Sequence, residues 1–217
     1  WISSEADFDL QTNTIFAHKV KFIEVADAIV FPFEEDVIVE PVAKMRTLRK
    51  AEVQANTETK HHRFHDATIN ISSRHKYHGD GKYNYLDELG RFQAINFDVI
   101  AVDSTEQTFA RGKVKGLENF SLSPAFSYQG KVSLKARDKY LMFDGYTKIN
   151  HECDAISENW LKFESEINPL NIYIPLKEQP KDINDALRHV NLPGSQENIV
   201  DLDMVQEIRI EGKKISF

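Results

Sequence analysis

The feature that most constrains this chain is an almost continuous alternation of apolar and polar residues before residue 150. A period of two places successive side chains on opposite faces of a strand, and the 3.6-residue period of a helix is scarcely present. Most alternating segments are short, and polar residues or a glycine separate them. Short strands at close spacing are typical of solenoids, jellyrolls and sandwiches, so the sequence predicts a mainly all-β fold.

A loose recurrence of alanine bears on the choice among these architectures. Ala28, Ala51, Ala67 and Ala125 each stand at the start of an alternating segment, although their spacing is irregular. Stacked coils of a β-solenoid need a small residue at each corner, because bulky side chains would collide there. The expected fold is therefore a β-solenoid or β-jellyroll of short, irregular strands, with a β-sandwich as the alternative.

The pattern changes near residue 150, which suggests two regions. We expect residues 1–150 to form the solenoid or jellyroll region and residues 151–217 to form a mixed C-terminal extension, a truncated continuation of a larger protein. Asp182–Val190 has an acidic residue before apolar positions at helical spacing and a histidine in its last turn, which predicts one short helix near the C-terminus. Alternating residues around Gly212 predict a terminal hairpin.

The most specific local prediction is a β-hairpin in the stretch KYNYLDELGRFQAINF. Tyr83 and Tyr85 share one face of its first strand, and Phe92 begins the second. The connection LDELG contains Gly90, which suits a loop position with positive φ. The preceding GDG, Gly79–Gly81, is interpreted as a turn or a bulge.

The net charge of −7 conceals a segregation of charge along the chain. Residues 1–43 carry two basic and nine acidic side chains, whereas residues 44–82 carry nine basic and four acidic ones and five of the eight histidines. The basic segment can attract phosphate or acidic glycan, or it can neutralise acidic neighbours within the fold. Because the pI is near 5.6 and basic residues form no dense run, nucleic acid is not an expected partner.

Three histidines in this segment are the candidate metal ligands. His61, His62 and His65 have spacings that would let His61 and His65 share a helical face and bind zinc. The following residues DATINI alternate as a strand, however, and strand positions four apart are separated by about 13 Å, too far for one ion. We therefore expect a basic strand here, with no metal and no other cofactor.

The candidate catalytic residues lie in the stretch RHKYH. Arg74, His75, Lys76 and Tyr77 would supply positive charge, a base and an acid to a polysaccharide lyase. Alternation along a strand divides the four between two faces, which favours a non-enzymatic protein. No GxSxG, GxxxxGK[ST], GxGxxG or CxxC motif is present, and the single cysteine, Cys153, is interpreted as an inert thiol.

Residues 119–149 read NFSLSPAFSYQGKVSLKARDKYLMFDGYTKI, in which a glycine and an alternating strand are followed by a charged turn and a second strand. This pattern resembles the repeated strands of OstA-like β-jellyroll proteins of lipopolysaccharide transport, and FARGKV at Phe109–Val114 resembles the same phrase. The chain also resembles segments of large, uncharacterised envelope proteins of Gram-negative bacteria. Asn70, Asn84 and Asn96 depart from the apolar interior that a lipid conduit would need.

The resemblance implies a non-enzymatic structural or ligand-binding β-module of an extracytoplasmic protein, in the periplasm or cell envelope. Its partners would be other segments of a larger protein, envelope proteins, and lipid or glycan. No transmembrane segment is expected, because no apolar run approaches the roughly 18 residues of a spanning helix. The alternatives are a carbohydrate-active enzyme that uses Arg74–His78 and a protein-interaction module that pairs through an exposed strand edge.

Overall fold

The computed structural model describes residues 3–150, 159–175, 188, 209–211 and 214–216. Nearly all the regular structure in these residues is β-strand, so the all-β prediction is confirmed. The strands are β1 Glu5–Asp9, β2 Thr14–His18, β3 Ile23–Val25, β4 Ala28–Phe31, β5 Val37–Glu40, β6 Lys44–Met45, β7 Leu48–Ala55, β8 His62–Ser73, β9 Lys76–Leu86, β10 Phe92–Val102, β11 Thr108–Val114, β12 Ser121–Ser123, β13 Phe126–Lys135, β14 Leu141–Ile149, β15 Leu161–Ile167, β16 Arg209–Glu211 and β17 Lys214–Ser216. Short 3₁₀ turns occupy Pro41–Ala43 and Gly116–Glu118.

The chain divides into two compact units. The first takes its described residues from Trp1–Tyr85, Phe92–Lys113 and Val132–Leu141, and the second takes them from Leu86–Arg91, Val114–Lys131 and Met142–Phe217. The predicted boundary at residue 150 adjoins residues 151–158, which lie outside the described residues, and it stays a prediction.

Two sheets build the described part of the first unit. The smaller has the strand order β1-β2-β5-β6, and the larger runs β11-β10-β9-β8-β7-β4-β3. The pairs β1–β2, β3–β4, β7–β8, β8–β9 and β10–β11 are antiparallel and join strands that follow one another in the chain. Local hairpins therefore account for much of the sheet, as the closely spaced turns of the sequence indicate.

Alternation buries one face of the long strands. In β7 the buried residues are Leu48, Ala51, Val53 and Ala55, with polar residues between them. The four alanines singled out in the sequence are all buried: Ala28 begins β4, Ala51 and Ala67 lie within strands, and Ala125 precedes β13. Burial of this apolar surface is the main force that holds the sheets together.

The hairpin between β9 and β10 is confirmed. Gly90 has a φ of 75°, and the Asp87 carboxylate accepts hydrogen bonds from the backbone N–H groups of Leu89 at 3.0 Å and Arg91 at 2.9 Å. The Arg91 Nε donates to the other carboxylate oxygen at 2.7 Å. Burial raises the pKa of Asp87, but the hydrogen bonds from Arg91 and Leu89 outweigh it and leave the pKa below its ordinary value.

The turn interpretation of GDG is wrong, because Gly79 and Gly81 lie inside β9. The register irregularity falls on the partner strand β8, between His65 and Thr68. A Cβ atom added at Gly79 would collide with the carbonyl oxygen of Thr68, and one added at Gly81 would stand 3.0 Å from the Cβ of Ala67. These glycines therefore permit a close approach between two strands.

The second unit has an aromatic core. Its strands follow the order β15-β14-β13, and β12 pairs with β13. The Tyr128 ring lies 5.0 Å from that of Phe143 and 5.7 Å from that of Phe163, in edge-to-face geometry, and Phe120 stacks on Phe143 at 6.4 Å. Such pairs add specific stabilisation to the burial of their area.

The C-terminal region is described in part. Strands β16 and β17 pair antiparallel, with Arg209 opposite Ser216 and Glu211 opposite Lys214, which confirms the predicted terminal hairpin. The helix predicted at Asp182–Val190 lies outside the described residues, apart from residue 188.

We expect Gly90→Val to lower the free energy of unfolding by about 1 kcal/mol or more, because a β-branched residue is poorly tolerated at positive φ. Nothing lies within 4 Å of the position where a Cβ atom would stand, so backbone strain is the only cause. Urea unfolding measures the change, and Glu88→Val in the same loop is the matched control. Equal stability of the two variants would contradict the positive-φ assignment.

Candidate functional site

The first unit contains a groove of about 840 Å³. It is lined by Ile23 and Glu24 of the edge strand β3, by Arg74 and His75 in the turn between β8 and β9, and by Lys60 and Glu106 from two loops. The backbone N–H of Ala26 donates to the carbonyl of Arg74 at 2.9 Å and so fixes the turn against the β3–β4 connection. The groove thus has a defined wall that carries two of the candidate catalytic residues.

The charges in the groove are mixed and exposed. The His75 Nδ1 lies 3.0 Å from a carboxylate oxygen of Glu106, and both side chains are more than half exposed. Within the described part of the chain, Arg74, Lys60 and Glu24 make no ion pair. Exposed pairs contribute little energy, so the groove offers weak electrostatic recognition and no buried acid–base pair.

Tyr77, the fourth candidate catalytic residue, has a buried side chain on β9. Its hydroxyl lies 2.7 Å from the Thr108 Oγ1, and Thr108 in turn donates to the Asp27 carboxylate from its backbone N–H at 3.0 Å and from its hydroxyl at 2.5 Å. Burial raises the pKa of Tyr77 well above its ordinary value. The phenol therefore stays protonated and joins three distant segments of the first unit.

The structure brings only part of the predicted catalytic set together. Arg74 and His75 line the groove, but they belong to a turn and not to the predicted strand, because β8 ends at Ser73 and β9 begins at Lys76. Lys76 is exposed on β9, whereas Tyr77 is buried. A catalytic role for these residues stays a prediction.

The predicted metal candidates have separate partners. His62 is buried, with its Nε2 2.7 Å from the Asp138 carbonyl and its Nδ1 3.3 Å from the Tyr83 hydroxyl. Because a carbonyl only accepts, Nε2 carries the proton and Nδ1 accepts from the phenol. Desolvation lowers the pKa of His62, and the carbonyl of Asp138 opposes this shift in part.

The neighbouring histidines point elsewhere. His61 is exposed, with its ring centroid 6.2 Å from that of His62, and the His65 Nε2 lies 2.8 Å from the Asn84 Oδ1. Among the residues that the structure describes, no group of three or more His, Cys, Asp or Glu could hold a metal ion. Of the three, His62 therefore belongs to the core and His65 pairs with a residue of the neighbouring strand, whereas His61 is exposed before β8 begins.

His18 is a perturbed group that the sequence did not single out. Its Nδ1 lies 3.0 Å from Asp36 and its Nε2 lies 3.4 Å from Asp7. The hydrogen bond to Asp36 is the main reason why the pKa of His18 is raised, and Asp7 adds to it. The three residues come from separate segments, so their spacing in the sequence carried no signal.

Two residues of the groove were also missed, although a local signal exists for both. Lys60 and Glu106 have positive φ values of 52° and 60° at the ends of two loops. Each loop starts with a residue whose side chain caps the following N–H groups: Asn56 accepts from Thr59 at 2.9 Å, and Asp103 accepts from Thr105 at 2.8 Å. Asn or Asp at the start of a short loop is the signal that predicts such a turn.

Comparison with known proteins gives one match. Residues 180–217 match a family model described as iron–sulfur cluster assembly protein, over well under half of the chain. No curated protein and no solved structure matches the chain.

This match corrects the function predicted from the sequence. The prediction of a structural or ligand-binding module of an extracytoplasmic envelope protein is wrong, because the matched segment points to iron–sulfur cluster assembly. The match supports neither the carbohydrate-active enzyme nor the strand-edge interaction module. The resemblance of residues 119–149 to OstA-like repeats and the predicted compartment stay predictions. No helix in the described ranges is long and apolar enough to cross a membrane.

We expect His62 to make the fold sensitive to acid. Its pKa is lowered in the folded state and is about 6.5 in the unfolded chain, so below that pH the unfolded state binds a proton that the folded state does not. Urea unfolding between about pH 7.5 and pH 5.5 should show a smaller loss of stability in His62→Gln than in the wild type. The same loss in both proteins would contradict a buried neutral imidazole.

We expect the opposite behaviour at His18. Because its pKa is raised, its stabilising contribution is full below about pH 6.5 and is lost as the pH rises through the folded-state pKa. An NMR titration of the ring protons should give a pKa for His18 above the ordinary histidine value of about 6.5. Asp36→Asn should lower the pKa of His18, and an unchanged value would contradict the pairing with Asp36.

Proposed function

We propose that this chain takes part in iron–sulfur cluster assembly. The observation that carries the proposal is the match of residues 180–217 to a family model described as iron–sulfur cluster assembly protein. Part of the matched segment is the antiparallel pair β16–β17, so at least this portion has regular structure.

The ligands in this chain do not fit a resident cluster. Iron–sulfur clusters are held mainly by cysteine thiolates, commonly four of them. The matched segment contains no cysteine, and the chain has a single one, Cys153. The described residues add no group of three or more ligating side chains. The role we propose is therefore to contact other proteins of the assembly process, with the cluster as their cargo.

Anaerobic reconstitution with ferrous iron and sulfide tests whether the chain itself holds a cluster. We expect the full chain to retain no stable cluster, measured as bound iron and sulfide after gel filtration, and Cys153→Ser to behave like the wild type. A stoichiometric cluster in the wild type that is absent from Cys153→Ser would show that the chain is a carrier. A known scaffold protein is treated in parallel, to show that clusters form under the conditions used.

A transfer assay tests the role in assembly itself. Asp201 and Asp203 place two carboxylates inside the apolar run IVDLDMV of the matched segment, and charged residues in such a run are rarely buried without a partner. If they contact an assembly protein, Asp201→Asn with Asp203→Asn should slow cluster delivery from a loaded scaffold to an apo-ferredoxin by about tenfold, equivalent to roughly 1.4 kcal/mol of lost interaction.

The matched control removes two exposed carboxylates from the first unit, with Asp80→Asn and Asp98→Asn. We expect this variant to support delivery at the wild-type rate. A wild-type chain that leaves the delivery rate unchanged would overturn the proposed function. Equal slowing by both double variants would show that general charge, and not the matched segment, is responsible.

A further inference from the structure

A second concave surface of the first unit has a volume of about 600 Å³. Phe33 lines it from the connection between β4 and β5, and Arg46, Arg49 and Lys50 line it from the stretch that leads into and begins β7. These four residues define what we call the basic concavity. The stretch KMRTLRK that supplies its cations contains no acidic residue.

A β-bulge shapes this surface. In the pairing of β7 with β8, Leu48 lies opposite Ile69 and Ala51 lies opposite Ala67. The chain therefore advances three residues on β7 while it advances two on β8, so β7 carries one extra residue. Bulges bend a strand and change the direction in which its side chains point.

The consequence of the bulge is a pair of adjacent exposed cations. A regular strand would expose only one residue between two buried ones in this interval, but Arg49 and Lys50 are both exposed between the buried Leu48 and Ala51. Lys50 has a φ of 54°, a left-handed conformation that is sterically unfavourable for a residue with a Cβ atom. Residues with such strained backbone conformations cluster at binding and active sites.

The charge at this surface is only partly neutralised. Arg46 donates to Glu40 at 3.1 Å, and the Asp36 carboxylate, which also lines the concavity, is paired with His18. Within the described ranges, Arg49 makes no ion pair.

Lys50 and Glu34 are two further charged residues that line this surface. The Lys50 Nζ lies 5.2 Å from the centroid of the Phe33 ring, and that ring is 63% exposed. Glu34 lines the rim and has no ion-pair partner among the described residues. A guanidinium, an ammonium and an exposed aromatic ring are thus available to a ligand, opposed by the unpaired carboxylate of Glu34 and by that of Asp36, which His18 pairs.

We propose that the basic concavity binds an acidic peptide segment of a partner protein. Arg49 and Lys50 would pair with two of its carboxylates, and Phe33 would contact an apolar side chain between them. Arginine suits this role because its planar guanidinium can hold a carboxylate with two hydrogen bonds. Arginine and aromatic residues are also enriched in protein interfaces and at their energetic hot spots.

A peptide fits these residues better than a small phosphate compound. The cations come from one short stretch of chain, Arg46–Lys50, and a peptide can present carboxylates at similar intervals. The site is open, and exposed ion pairs are individually weak, so binding should depend strongly on salt. This proposal is independent of cluster assembly, because peptide binding is measured with the purified chain alone.

The test uses fluorescence anisotropy with the full chain and a labelled glutamate-rich peptide that carries one leucine. The same peptide with each glutamate replaced by glutamine is the ligand control. We expect the acidic peptide to bind and the neutral one to bind at least tenfold more weakly. Added salt should weaken the binding of the acidic peptide.

Variants locate the site. Arg49→Glu with Lys50→Glu should weaken binding at least tenfold, and the milder Arg49→Gln with Lys50→Gln should weaken it in the same direction if the reversal unfolds the chain. Arg111→Glu with Lys113→Glu makes an identical change in net charge at two exposed positions of β11 and should change the affinity less than twofold. Phe33→Ala should weaken binding without changing its dependence on salt.

Three results would overturn the proposal. The first is no binding of the acidic peptide at millimolar concentration. The second is an equal loss of binding in the control variant Arg111→Glu with Lys113→Glu, which would indicate non-specific attraction by charge. The third is displacement of the peptide by pyrophosphate at a similar or lower concentration, which would identify a site for small phosphate compounds.

Discussion

Close approach between neighbouring strands is the constraint on which the first unit depends. Ala51 of β7 lies opposite Ala67 of β8, and a Cβ atom at Gly81 of β9 would crowd Ala67 and Ile100. Small residues at these positions fix the register, because a slip of one residue would exchange the buried and exposed faces of a strand. The larger core residues of the sheet can pack only when this register is kept.

Loop chemistry reinforces the same register. Asp87, Asp103 and Asn56 each begin a short connection and accept hydrogen bonds from the N–H groups that follow, and each connection then contains a residue with positive φ. A side-chain acceptor satisfies backbone donors that the strands leave unpaired, and it stabilises the change of chain direction between two strands. The loops are therefore part of the mechanism that specifies the fold.

The sequence predicts well what is local and poorly what is distant. Alternation located most strands because each long strand buries one face, and Gly90 marked the hairpin because its position demands positive φ. The GDG stretch was misread because a glycine that admits a close neighbour looks the same in sequence as a glycine that turns. His62 lies in a basic, polar stretch, yet its side chain is buried. Its ring donates a hydrogen bond to a backbone carbonyl 76 residues away, a partner that no local sequence pattern reveals.

The shifted pKa values of two groups in the first unit show why such a shift does not by itself locate a catalytic site. Burial raises the pKa of Tyr77 and lowers the pKa of His62. Tyr77 is hydrogen-bonded to Thr108, and His62 is hydrogen-bonded to the carbonyl of Asp138. A shifted pKa marks a functional site only when the group also faces a space that a substrate can enter. The charges that do face open space, such as Arg49, are exposed. Exposed charges favour recognition over catalysis, because solvent weakens the electrostatic stabilisation that a reaction needs.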